Sequence, residues 1–91
     1  MALSASQKQS IESYKYQIEG LKREIQRFRD EKKRVAERTA RELKNTTDSK
    51  KKEQIRKSKT TAYLQISNSI ESLKKSIERT RRYIQDIRSR A

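Results

Sequence analysis

The chain has 91 residues, of which 30% are apolar and 41% charged, and 25 Lys and Arg against 12 Asp and Glu give it a net charge of +13. So few apolar residues cannot form a globular core of normal thickness, and the absence of Cys and His excludes disulfides and the commonest transition-metal ligands. High charge with few aromatic residues is shared by disordered chains and long helices, so hydrophobic periodicity has to decide between them.

The N-terminal segment MALSASQKQS lacks the apolar run of a signal peptide, and no window approaches the roughly 18 apolar residues of a membrane span. We therefore expect a soluble, cytoplasmic protein without a membrane span, and export through a signal of another kind stays open. The first helix is predicted to begin near Ser4, because Ser4 with Gln7 and Ser6 with Gln9 each fit a capping box.

Hydrophobic periodicity predicts two long helices. Large apolar residues alternate at spacings of three and four in each half of the chain, which is the heptad pattern of a coiled coil, and only Thr80 weakens it in the second half. The predicted core seam consists of Ile11, Tyr14, Ile18, Leu21, Ile25, Phe28, Val35, Leu43, Ile55, Tyr63, Ile66, Ile70, Leu73, Ile77, Ile84 and Ile87.

The stretch NTTDSK, residues 45–50, predicts a turn between these helices. One continuous helix would set the two seams out of register and leave about four heptads without a large apolar residue. Folding the chain back near residue 49 instead sets Phe28 against Ile70 and Leu43 against Ile55. Asn, Thr, Asp and Ser favour local backbone hydrogen bonds, and Asp48 or Ser49 can cap the second helix.

The sequence therefore predicts an all-α fold, a long antiparallel two-helix hairpin of the coiled-coil type. It forms one domain over residues 1–91, with helices over about 5–44 and 50–89 and a turn at about 45–49. Because such a hairpin has a thin core, we expect it to assemble into a four-helix bundle or to pack against a partner helix.

One edge of the predicted hairpin is entirely basic. In an antiparallel pair the e positions of the two helices face each other, and like charges on facing positions cost stability. This pattern favours an anionic partner along the edge, while the alternative is that the side chains extend into water and their stems cover the seam. The predicted edge consists of Lys15, Lys22, Arg29, Lys74, Arg81 and Arg88.

A second basic cluster surrounds the predicted turn, since residues 22–59 hold 16 of the 25 Lys and Arg but only 7 acidic residues. Phosphate binding and plain solvation of a surface both explain such a run. Lys32 occupies a core position of the first seam, where we interpret it as a snorkelling residue. The predicted basic tip consists of Lys44, Lys50, Lys51, Lys52, Arg56, Lys57 and Lys59.

No catalytic set can be assembled from these residues. Acid–base chemistry at neutral pH usually needs His or a desolvated carboxylate, and a two-helix hairpin offers no pocket in which to desolvate one. The single glycine, Gly20, rules out a Gly-rich phosphate loop. We expect no enzymatic activity, no small-molecule substrate, no cofactor and no metal.

In size and two-helix architecture, the whole chain resembles the small hairpin proteins of bacterial type VII secretion and the helical partners of their toxins. The Trp-x-Gly turn of that family is absent because the chain has no Trp, and Tyr83 with Asp86 has a different spacing from its Tyr-x-x-x-Asp/Glu tail. The resemblance implies a secretion partner that acts by binding other proteins.

Two functions remain open on the sequence. The first is an interaction or adaptor protein that forms a homo-oligomer or co-assembles with an acidic helical partner. The second is a hairpin that binds nucleic acid without sequence specificity through its basic edge and tip, by contacts with phosphates alone. Few aromatic side chains are placed to stack on bases, which favours the first.

Overall fold

A computed structural model describes residues 2–91 and shows two long α-helices that pack antiparallel as a helical hairpin. Helix α1 spans Ala5–Lys44 and helix α2 spans Ser49–Ser89. No strand occurs between residues 2 and 91. The predicted all-α antiparallel hairpin is therefore confirmed, and the segment that reverses the chain is residues 45–48.

Helix α1 begins with a reciprocal pair of hydrogen bonds. The backbone N–H of Gln7 donates to the Ser4 hydroxyl oxygen at 3.1 Å, and the Ser4 N–H donates to the Gln7 side-chain oxygen at 2.8 Å. This capping box satisfies two backbone donors that a helix start leaves unpaired. Of the two capping boxes that the sequence allowed, Ser4 and Gln7 form one.

The turn is closed by polar side chains of the NTTDSK stretch. The Thr46 hydroxyl donates to the Glu42 carbonyl oxygen at 2.6 Å and so covers an unpaired acceptor at the end of α1. Asp48 caps α2, because its carboxylate accepts from the Lys50 N–H at 3.0 Å and its carbonyl accepts from the Lys52 N–H at 3.0 Å. The same residues that disfavour a continuous helix therefore end one helix and start the other.

The chain divides into two compact units, which we call the terminal unit, Met1–Ile25 with Glu71–Ala91, and the turn unit, Gln26–Ile70. The terminal unit buries five isoleucines and Thr80, whose hydroxyl donates to the Ser76 carbonyl at 2.8 Å. The buried isoleucines are Ile11, Ile18, Ile25, Ile77 and Ile84, and the half-buried seam residues are Tyr14, Leu21, Leu73 and Ile87.

The turn unit has a poorer core. Only Val35 and Ile66 are buried among its apolar residues, together with Thr39. The ammonium of Lys32 lies 4.8 Å from the centre of the Tyr63 ring, at cation–π distance, so this lysine packs over an aromatic face at the seam. The remaining seam residues are half-buried: Phe28, Leu43, Ile55, Tyr63 and Ile70.

No side chain of residues 2–91 is fully buried, so even the best-covered seam residues keep some contact with solvent. A normal globular core excludes water from many side chains completely. Each unit therefore retains apolar seam surface that a further helix could cover.

Candidate partner-binding groove

Four of the six predicted edge residues come together in the terminal unit, where they line an open groove of about 590 Å³. Lys15 and Lys22 lie on the α1 side, and Arg81 and Arg88 lie on the α2 side. Ile18 and Ile84 form an apolar floor, and the acidic Glu19 and the uncharged Gln85 complete the lining.

Heptad spacing explains why these residues share the groove. Lys15 and Lys22 are seven residues apart, as are Arg81 and Arg88, so each pair lies on one face of its helix. Seven residues rise about 10 Å at 1.5 Å per residue, which sets the separation of the two charges along each wall. The groove therefore has two cations per wall above a floor of isoleucine.

The two walls differ in how their charges are compensated. Lys15 lies 3.7 Å from a Glu12 carboxylate oxygen, and Lys22 lies 3.7 Å from one of Glu19. All four side chains are more than half exposed, so each pair contributes at most about 1 kcal/mol. Neither Arg81 nor Arg88 forms an ion pair with any residue between 2 and 91. The uncompensated positive charge of the groove lies on α2.

The other two predicted edge residues lie outside this groove. Lys74 lines a neighbouring groove of the terminal unit with Ile77, Glu78 and Arg81. The Glu78 carboxylate there accepts from the Arg82 guanidinium at 3.0 Å. Arg29 belongs to the turn unit, where it is exposed, and it lines neither groove.

All seven residues of the predicted basic tip lie in the turn unit. Lys44 ends α1, where a positive charge is favourable. Lys50, Lys51 and Lys52 fall in the first turn of α2, where the helix dipole disfavours cations, and the acidic residue closest to this helix start is the capping Asp48. Arg56 of the basic tip is exposed. The Lys57 ammonium lies 3.6 Å from a Glu53 carboxylate oxygen, and the Lys59 ammonium lies 5.2 Å from the centre of the Tyr63 ring.

Three features of the surface were not predicted from the sequence. The acidic partners Glu12 and Glu19 reach the basic edge from the preceding turn of α1. The rings of Tyr14 and Tyr83 meet in the terminal unit with centroids 5.5 Å apart and planes tilted by 39°. Leu64 is exposed over 61% of its surface. Two of these features have a signal in the sequence. The i, i+3 spacing of Glu12 and Lys15 indicates the ion pair, and the uncharged stretch around Leu64 indicates an apolar patch on the surface.

The described residues, 2–91, contain no cluster of three or more acidic side chains that could hold a metal ion. Within the same residues, neither helix contains a segment long and apolar enough to cross a bilayer. The chain matches no protein-family model, no curated protein and no solved structure. Any functional assignment therefore depends on the groove and on the charged surface.

Proposed function

We propose that this protein is a non-enzymatic interaction or adaptor protein that co-assembles with an acidic helical segment of another protein, seated in the groove of the terminal unit. The observation that carries the proposal is the pairing of an isoleucine floor with two guanidinium groups that have no acidic partner among the described residues. An amphipathic helix with carboxylates seven residues apart matches both features, since its charges repeat at the same distance as Arg81 and Arg88.

A second copy of this chain is a poor occupant of the groove. It would bring its own basic edge against Arg81 and Arg88, and like charges at an interface cost several kcal/mol. A bundle that closes over this groove therefore needs acidic helices from the partner. Such a partner covers the isoleucine floor of the groove, Ile18 and Ile84.

The experiment measures binding of a helical peptide with a leucine stripe flanked by glutamates at seven-residue spacing. The variant Arg81→Gln/Arg88→Gln removes the two unpaired cations. We expect it to weaken binding about tenfold, since two exposed charged contacts of about 0.7 kcal/mol each sum to about 1.4 kcal/mol. Arg27→Gln/Arg34→Gln is the matched control, because these exposed arginines are also seven residues apart on one helix. Equal losses in the two variants would show that only net charge matters and would overturn the groove assignment.

A second peptide tests the floor. Replacing its leucines by serines keeps every carboxylate but removes the groups that cover Ile18 and Ile84. We expect this peptide to bind weakly and with steep salt dependence, because only screened charge–charge contacts remain. Equal affinity of the two peptides would contradict an amphipathic occupant.

Binding of nucleic acid is the second candidate, and the first turn of α2 favours it. Three consecutive lysines at a helix start oppose the helix dipole, so their position is explained by an external anion better than by helix stability. Six phosphate contacts would give a log–log salt slope near −5 by the counterion rule. Duplex binding that falls equally in both arginine double variants, together with no binding of the acidic peptide, would favour this candidate over the groove.

A further inference from the structure

The exposed face of α2 between Thr60 and Ile70 is the longest uncharged stretch inside either helix. Eleven consecutive residues carry no charge in a chain of which 41% is charged. Leu64 lies in the middle of this stretch and is the one aliphatic side chain among the large exposed apolar residues of the described chain. The exposed residues of the stretch, which we call the neutral face, are Thr60, Thr61, Leu64, Gln65, Ser67 and Asn68.

Part of this surface can be dried at low cost. The Thr60 hydroxyl donates to the Arg56 carbonyl at 3.1 Å. Because this proton is already used within the helix, covering Thr60 leaves its hydroxyl donor paired. When a second apolar side chain covers the exposed Leu64, the burial of apolar surface contributes favourably to the free energy of association.

We propose that the neutral face docks a second copy of the chain, with two α2 helices antiparallel and the two-fold axis beside Leu64. Each copy carries a net charge of +13, so approach through most other surfaces sets like charges together. At the neutral face this repulsion is lowest. The two leucines then cover each other, which a two-fold axis at one residue requires.

The charges that flank the neutral face determine the orientation. Lys57 precedes Leu64 by one heptad in the sequence of α2, and Glu71 follows it by one heptad. An antiparallel pair centred on Leu64 sets Lys57 of each copy opposite Glu71 of the other, whereas a parallel pair sets like charges opposite each other. Lys57 also approaches Glu53 of its own helix at 3.6 Å, but both side chains are largely exposed and the pair is weak.

This dimer is expected to be weak. About three turns of one helix bury much less than the roughly 800 Å² per partner of a standard stable interface. Association is therefore expected at high micromolar protein concentration, and it should strengthen when moderate salt screens the net charge.

Sedimentation equilibrium of the full chain over a concentration series, in moderate salt and without peptide or nucleic acid, tests this inference. We expect a reversible rise from 10.9 kDa towards twice that mass. Leu64→Lys should weaken dimerisation about tenfold or more, because it removes the central contact and adds a charge. Tyr16→Lys is the matched control, because Tyr16 is 77% exposed on α1 and the change alters charge equally.

A charge swap tests the orientation. Lys57→Glu and Glu71→Lys should each weaken dimerisation, and the double variant should restore it. Within one chain the two residues are about 21 Å apart along the helix at 1.5 Å per residue, so only contact between copies explains such a rescue. A monomer at every concentration, equal effects of Leu64→Lys and Tyr16→Lys, or no rescue would each overturn the inference. Because no groove residue is changed, failure here leaves the acidic-peptide result standing.

Discussion

The terminal unit and the turn unit use the same two helices and the same heptad pattern, yet their cores differ. The terminal unit buries five isoleucines, whereas the turn unit buries Val35 and Ile66 and places Lys32 and Thr39 in its seam. The four residues between the helices, 45–48, join the two sides of the turn unit directly, so little chain entropy opposes its pairing. Residues of the terminal unit that lie far apart in the sequence need stronger apolar contacts to stay together.

The two units also differ in net charge, and the unit with the poorer core is the more positive. The turn unit holds 14 Lys and Arg against 6 Asp and Glu, a net +8, and the terminal unit holds 11 against 6, a net +5. The terminal unit can therefore combine a better core with a defined groove, whereas the turn unit presents a more diffuse cationic surface. Stability and partner recognition are expected to depend most on the terminal unit.

The largest expected effect on stability comes from shortening a single isoleucine, and one such variant in each unit compares the two cores. Ile77→Ala in the terminal unit should destabilise the protein by about 2–4 kcal/mol, because the side chain is buried and leaves a cavity. Ile55→Ala in the turn unit should cost about 1 kcal/mol, since that side chain is half-buried. Urea unfolding followed by far-ultraviolet circular dichroism measures both costs, and equal costs would contradict the difference between the cores.

A smaller effect is expected at the helix caps. Asp48→Ala should cost about 1 kcal/mol, because it removes the acceptor for the Lys50 N–H at the turn. Asp48→Asn keeps a capping oxygen and should retain most of the stability. Ser4→Ala removes the cap of α1 in the terminal unit, where the first turn can fray alone, and should cost about half as much. Thermal unfolding of the three variants ranks them, and a larger cost at Ser4 would contradict this assignment.

The smallest expected effect concerns a glycine and an alanine of α1. Apart from the neighbouring residues and backbone of α1 itself, no atom lies within 4 Å of the position that a Cβ would take at Gly20, so Gly20→Ala should stabilise the terminal unit by about 0.5–1 kcal/mol through helix propensity. Ala40→Gly makes the reverse change at an exposed position of the turn unit and should destabilise it by a similar amount. Urea midpoints measure both shifts, and a destabilising Gly20→Ala would contradict the open space around this glycine.

The fold was predictable because one simple rule determines it. Apolar residues at alternating spacings of three and four indicate helices, and the uncharged polar stretch with Asp48 indicates where the chain reverses. The burial pattern follows this rule, since every buried apolar residue between residues 2 and 91 belongs to the predicted seam. Heptad positions give the direction of each Cα–Cβ bond well, and this is enough to define a two-helix hairpin.

The details of the groove were less predictable because long side chains cross between heptad positions. Glu19 is in ion-pair contact with Lys22, although its spacing from Arg23 allows a pair at i, i+4. The edge is therefore less uniformly positive than its e positions alone indicate. Tyr83 is exposed over 49% of its surface, and its ring nevertheless reaches Tyr14 of the opposite helix. Rotamer choice decides such contacts, and the sequence pattern does not specify it.

The contact between Tyr14 and Tyr83 also provides an intrinsic optical reporter. The chain has four tyrosines and no tryptophan, so its near-ultraviolet spectrum comes mainly from phenol rings. Coupling between two tilted rings 5.5 Å apart depends on contact between α1 and α2, whereas far-ultraviolet ellipticity depends on backbone helix alone. Separation of the helices in the terminal unit should therefore abolish the phenol signal of this pair while the helices themselves persist, so that opening and unwinding can be followed in one unlabelled sample.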